Sequence, residues 1–311
     1  MWRILTAEPH AHMTFPDILE EVNTSGMKHT LFVVAIPFVL GLTAIVLPGI
    51  GPSVTGAPAD TAVQDPDTIP EVARMVYIPP GEFIMGSSLE DLDDLAEQDE
   101  YPRRVVWLDG YYIDVHEVTN SQYKVFVDSM EIAPPHLWKD GNYPVGQDGY
   151  PVVDVSWEDA RMYAEFVGKR LPTEEEWEKA ARGTDGRHYP WGNEFSTHLV
   201  NRETLQPVMS NPGNRSPYGL FDMAGNAAEW VDAWYAPYPV PEGEKLPKSF
   251  AHRRQGFREE THRVYRGGSW NTLGKYLRCA NREREKPERK WRYIGFRCVM
   301  DPPWRQKQPG Q

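Results

Sequence analysis

The chain has 311 residues, 40% hydrophobic and 12% aromatic, enough apolar material for one large packed domain or two small ones. Its 45 acidic and 33 basic residues leave a net charge of -12, which sets nucleic acid aside as a partner, because such binding rests on neutralising phosphates with Lys and Arg. Twenty-eight prolines and 25 glycines point to a turn-rich fold, and only two cysteines, Cys279 and Cys298, exclude a disulfide framework or a CxxC metal knuckle.

Residues 1–26 contain Glu8, Asp17, Glu20 and Glu21, an unusual leader for a translocated chain, and translation starting at Met27 would account for it. Residues 27–59 read as a signal peptide or membrane anchor. Lys28 precedes Leu31–Ile50, twenty residues without a charge, and Ala57-Pro58-Ala59 resembles a signal-peptidase site. Pro37, Gly41 and Pro48 interrupt the run, so cleavage and retention both stay open. The expected location is extracytoplasmic, periplasmic or secreted, with residues 31–50 touching the membrane if uncleaved. Residues 60–70 form a linker, 71–303 the folded domain and 304–311 a tail.

Three helix starts are legible. Thr119-Asn-Ser-Gln122 is a capping box leading into Tyr123, Phe126, Val127 and Met130 at helical spacing; Ser156 to Asp159 precedes Ala160, Tyr163, Ala164 and Val167. Thr173 to Glu176 opens a third helix with Trp177, Ala180 and Ala181, stopping at Gly183. Val76–Ile78, Val105–Leu108, Tyr111–Val115, Val264–Arg266 and Gly295–Val299 read as short strands. The acidic stretch Glu90–Glu100 is expected to be a solvated loop, and the alternating charges from Arg278 to Arg292 a salt-bridged surface. His116, His136, His188, His198, His252 and His262 are scattered, and neither GxSxG nor HExxH occurs.

Several blocks then stand in a recognisable order: Met75 to Gly86, Glu117-Val-Thr-Asn120, Pro151 to Trp157, Arg170 to Trp177, Tyr189-Pro-Trp-Gly-Asn193, Tyr218 to Asn226 with Glu229-Trp230, Arg266-Gly-Gly-Ser-Trp270 and Gly295-Phe-Arg-Cys298. In this order they resemble the formylglycine-generating enzyme (sulfatase-modifying factor) family. The resemblance implies an α+β fold of the C-type lectin-like kind, with short helices, small antiparallel sheets and much irregular structure. Trp157, Trp177, Trp191, Trp230 and Trp270 are expected in the core.

The resemblance also implies calcium at Asp222, Gly225, Ala227 and Glu229, hard oxygen donors suited to that ion. From the residues alone, Asp222 capping a turn and Glu229 pairing with an arginine is the other reading. A second family site would use Asn201. The family's chemistry needs a thiolate pair that binds Cu(I). Here the positions fall at Thr272 and Gly274 in a shortened loop, so copper and formylglycine generation are not expected. Cys279 and Cys298 match structural positions and read as buried thiols or as a bridge to each other, with a lone reactive Cys279 the remaining reading. The expected function is a non-catalytic binding or scaffold module for an extracytoplasmic protein or glycan, the alternative an oxidoreductase that assists oxidative maturation without the pair. Candidate contact residues are Tyr235, Tyr238, Arg253, Arg254, Trp270, Asn271 and Thr272, the first four in a loop rich in aromatics and prolines.

Overall fold

All three expected helices begin at their caps. The structure, a computed structural model, describes residues 75–92, 98–200, 203–240, 242–243 and 260–305. After one turn, α1 (Leu89–Leu92), come α2 (Asn120–Met130), α3 (Trp157–Phe166) and α4 (Glu174–Arg182), and Thr119, Ser156 and Thr173 each form a reciprocal capping box with Gln122, Asp159 and Glu176. These caps satisfy first-turn N–H groups that the helix itself cannot pair. Gly183 closes α4 with φ +72°.

The strands are β1 (Met75–Ile78), β2 (Gly81–Met85), β3 (Arg104–Leu108), β4 (Tyr111–Asp114), β5 (Ala228–Trp234), β6 (Arg263–Arg266), β7 (Arg282–Glu285), β8 (Ile294–Gly295) and β9 (Val299–Met300). Among the described residues they make three small sheets, ordered β1-β4-β9, β2-β3 and β7-β6-β5-β8. Neighbours are antiparallel except β5 and β8, and β5 bulges against β6 between Trp230 and Trp234. The expected strand Gly295–Val299 is broken in two. Its ends pair in different sheets, because the Arg297 guanidinium turns inward to Glu229 and the Cys298 N–H donates to Asp114 Oδ2 at 3.0 Å.

One core packs Tyr123 and Phe126 of α2 and Tyr163 of α3 against Trp230 and Phe296; a second packs Trp177 of α4 against Ile113, Val231 and Val264. Trp157, Trp177 and Trp230 are buried as expected, whereas Trp191 and Trp270 are only partly so.

Charge is buried alongside them. On α4, Glu174 accepts from Arg266 and Arg282, and Glu178 from Arg182, Arg266 and the Gly86 N–H. Two expectations change here. Glu100, at the end of the supposed solvated loop, is fully buried and takes a two-pronged bond from Arg278 at 2.6 and 2.7 Å. Arg278 and Arg282, read as surface residues, are therefore interior, since a buried carboxylate without a partner would be too costly to fold around. Residues 93–97 lie outside the described residues.

Tyr235 and Tyr238 are likewise interior rather than contact residues: their hydroxyls donate to Asp99 Oδ2 at 2.6 Å and Glu174 Oε1 at 3.1 Å, and the rings pack under Arg282. Arg253 and Arg254 lie outside the described residues, as does Leu31–Ile50. Among the described residues no helix is long and apolar enough to cross a membrane. The chain divides into units 1–63 and 64–311, and only the second contains described residues.

Candidate functional site

The Asp222–Glu229 segment turns sharply through left-handed backbone at Asp222 (φ +59°), Gly225 (φ +94°) and Asn226 (φ +58°). Short polar residues and glycine tolerate this region best. Asp222 is buried and its Oδ2 accepts the Met209 N–H at 2.8 Å. Glu229 holds the Arg297 fork, 2.7 Å on each oxygen, and its Oε2 also accepts Trp177 Nε1–H at 2.7 Å. Both features of the second sequence reading, a turn-holding aspartate and an arginine-paired glutamate, are present. Asn201 lies outside the described residues.

A third carboxylate joins this turn. Glu117, between β4 and α2, accepts from Asn226 Nδ2 at 3.0 Å and from the Ala227 N–H at 3.3 Å on Oε1, while Oε2 is buried without a hydrogen-bond partner. Burial and then the nearby Asp222 charge hold the Glu117 carboxyl well above its ordinary range, and burial raises Asp222 to about 6. Arg297 is the guanidinium that answers these acids. Among the described residues no group of three or more His, Cys, Asp or Glu side chains is arranged to hold a metal by itself.

The second feature is a cleft behind Arg266-Gly267-Gly268-Ser269. Gly267 and Gly268 are left-handed (φ +85° and +61°), and a Cβ on Gly268 would lie 2.7 Å from Leu277, so the chain passes here only as glycine. Beyond it Ser269 Oγ donates to Asn271 Oδ1 at 2.6 Å, and Thr272 Oγ1 accepts the Ser269 N–H at 2.9 Å. The Trp270 N–H donates to the Asn226 carbonyl at 2.8 Å, tying the cleft to the carboxylate turn. A cavity of about 280 Å³ opens between this loop, β6, β7 and Tyr293. Of the expected contact residues, Asn271 and Thr272 line it and Trp270 stands behind, under Arg292.

No thiol reaches this cleft. Thr272 and Gly274 occupy the expected thiol positions, and a Cβ on Gly274 would lie 2.6 Å from the Phe195 ring, which fills that space. Cys279 and Cys298 are free and fully buried, so the bridge between them does not form. Burial pushes the Cys279 thiol up to about 12, far from the thiolate that nucleophilic or metal-binding chemistry needs.

A profile of the sulfatase-modifying factor enzyme 1-like domain matches residues 60–302. The chain belongs to the formylglycine-generating enzyme family. It is 36% identical over 248 residues to the serine/threonine-protein kinase pkn1 of Chlamydia caviae, covering 74% of this chain and 38% of that one. The chain thus spans about two-fifths of the length of the curated relatives it first matches. It is 34% identical over 294 residues to the formylglycine-generating enzyme of Thermomonospora curvata, covering 75% of this chain and 95% of that one. Among solved structures, PvdO from Pseudomonas aeruginosa superposes with a TM-score of 0.59 at 23% identity over 74% of this chain and 95% of that one, a likeness of fold.

Within this family frame, sequence reading missed Glu117, Arg297, Asn281 and Glu283. Glu117 sits in the quoted Glu-Val-Thr-Asn block and Arg297 in Gly-Phe-Arg-Cys, so their blocks were visible while their meeting at one turn was not. Asn281 and Glu283 follow Cys279 in a stretch read as surface, and no local pattern marks them as cavity walls.

Proposed function

We propose that this family member is an exported, non-catalytic binding or scaffold module that holds an extracytoplasmic protein or glycan partner at the Arg266–Thr272 cleft. The observation that carries the reading is the fate of the thiol positions: Thr272 is hydrogen-bonded into the Ser269 turn and the space at Gly274 belongs to Phe195. The hydroxyls at the mouth are engaged with each other, which suits a rigid wall rather than a nucleophile. The charge-free run Leu31–Ile50 supports export, with tethering to the membrane if it is retained.

Calcium is part of the proposal. The residues fit such an ion in charge and in hard oxygen chemistry, because Glu117 Oε2 is a buried oxygen with no hydrogen-bond partner and Asp222 lies beside it. Asp222 and Glu117, with the carbonyls of Gly225 and Ala227, would hold it, while Glu229 is engaged by Arg297 and Trp177. A bound ion would neutralise buried charge and brace the turn to which Trp270 is tied.

The test is to incubate the full chain with Cu(I), O₂ and a Cys-x-Pro-x-Arg peptide, following the peptide thiol by mass spectrometry. The peptide is expected to remain intact. Its conversion would overturn the non-catalytic reading in favour of an oxidoreductase working without the cysteine pair.

A further inference from the structure

Resting on the reading of Leu31–Ile50 as a retained anchor, we infer that the outer face of the first strand ribbon lies against the lipid headgroups of the membrane that holds the chain. β1 runs into β2 through Pro79-Pro80, and β3 into β4 through Asp109-Gly110. Because β1 pairs with β4 and β2 with β3, the four strands form one long ribbon bent at these two links. Its inner face is core: Ile78, Phe83, Met85, Tyr111 and Ile113 are buried.

The outer face exposes aromatic surface instead of hiding it. Val105, Trp107 and Trp304 are each 64% exposed and Tyr77 is 38% exposed; no other described tryptophan is as open as these two. Register makes them one surface. On one half Val105 stands opposite Ile84 and Trp107 opposite Glu82. On the other half Tyr77 stands opposite Tyr112, ring centres 5.1 Å apart, and Trp304 packs edge-on to Tyr77 at 6.2 Å. At the bend a Cβ on Gly110 would lie 2.2 Å from the Tyr77 hydroxyl, so that ring reaches across the link between the halves. Arg305, next to Trp304, pairs at 2.6 Å with Asp109, two residues beyond Trp107. A continuous exposed patch of this kind marks a contact surface, whereas single exposed apolar residues do not.

Two observations choose lipid as what covers it. Tryptophan and tyrosine interspersed with charge suit the headgroup layer of a bilayer, where amphipathic rings settle. Exposed Glu82 and the Asp109–Arg305 pair stay hydrated at that depth and would be costly deeper in the hydrocarbon. The second observation is place in the chain. The charge-free run ends at Ile50 and the ribbon begins at Met75, so the 24 residues 51–74 lie between them. They span at most about 80 Å. A retained anchor therefore confines the ribbon near one bilayer, and such confinement makes a weak contact persist. A net charge of -12 gives no general attraction to anionic headgroups, so the contact rests on the indoles rather than on a basic patch.

The experiment places a fluorophore on Val105→Cys or, for reference, on Val145→Cys in the full chain, reconstituted into phosphatidylcholine vesicles with a nitroxide on the headgroups. Val145 is fully exposed in the loop after α2, away from the ribbon, and Cys279 and Cys298 are buried and stay unlabelled. Quenching is expected to be stronger at position 105 than at 145. Replacing both indoles, Trp107→Ser with Trp304→Ser, should lower the docked-to-free ratio roughly tenfold or more, the scale of losing one buried apolar side chain, and bring quenching at 105 down to that at 145. Melting curves check that the variants fold. Equal quenching at the two positions, the result if a protein partner or a second copy covers the face, would overturn the membrane assignment, and so would quenching at 105 that survives loss of both indoles. The anchor reading fails on a separate signal: a chain that does not float with the vesicles after a carbonate wash overturns the tether and the docked face together.

Discussion

Replacing Glu229 by glutamine is the sharpest test of how the carboxylate turn is held. The Glu229 carboxylate receives three N–H groups, two from Arg297 and one from Trp177, all at 2.7 Å and all buried. In Glu229→Gln one acceptor becomes an NH₂ group that must face a guanidinium or indole N–H, donor against donor. Arg297 would keep one bond to the remaining amide oxygen and those to the carbonyls of Asp114, Val115 and Phe221. Removing one partner of a buried pair costs about 3–5 kcal/mol, and in a domain of this size each kcal/mol lowers the melting temperature by roughly 2–4 °C, so a drop of roughly 6–20 °C is expected. Thermal melts by circular dichroism, in EDTA and in calcium, are the assay. If Glu229 acts chiefly through Arg297, the loss is equal in both buffers, and the double replacement Glu229→Leu with Arg297→Met recovers a large part of it. A loss seen only in calcium would refute the argument, and so would a melting temperature in EDTA within about 2 °C of the parent.

Two further outcomes follow from the titrating groups. In EDTA, Asp222, raised by burial to about 6 from an ordinary 3.8, favours the folded state while protonated; its contribution, on the order of 3 kcal/mol, is full below about pH 4 and lost as pH rises through 6. Melting temperatures of the parent should therefore fall over that interval relative to Asp222→Asn, and a parallel pH course in the two proteins would contradict the buried-acid account. For the cysteines, iodoacetamide at pH 8 should leave the native chain unmodified and alkylate both Cys279 and Cys298 in guanidinium, read by intact mass. Rapid native labelling of Cys279 would restore it as a candidate nucleophile.

What could be read from the residues was local in origin. The caps at Thr119, Ser156 and Thr173 are made within three residues of themselves, so their chemistry is complete in a short window. The loss of the thiol pair is a matter of which residues stand at 272 and 274. The family frame itself could be read because its blocks keep their order. Strands β5 and β7 were harder, because β5 is nearly all buried at its start and β7 alternates charges that look like a surface. Periodicity reports a half-buried strand well and a fully covered or ion-paired one poorly.

Only the tertiary structure decided where charge resides. The bonds from Arg266 to Glu178, from Arg282 to Glu174 and from Arg278 to Glu100 join residues 88 to 178 positions apart, and sequence spacing carries no information on such pairs. The same holds for Glu117, brought to Asn226 across 109 positions, and for Tyr235 and Tyr238, drawn inward by acids on other segments. By itself the sequence determined the family fold, its helix starts and the absence of the catalytic thiols. The choice of partner for each buried acid, and with it the character of the cleft, depended on the folded chain, because desolvation penalises an unanswered charge only once the interior has closed around it.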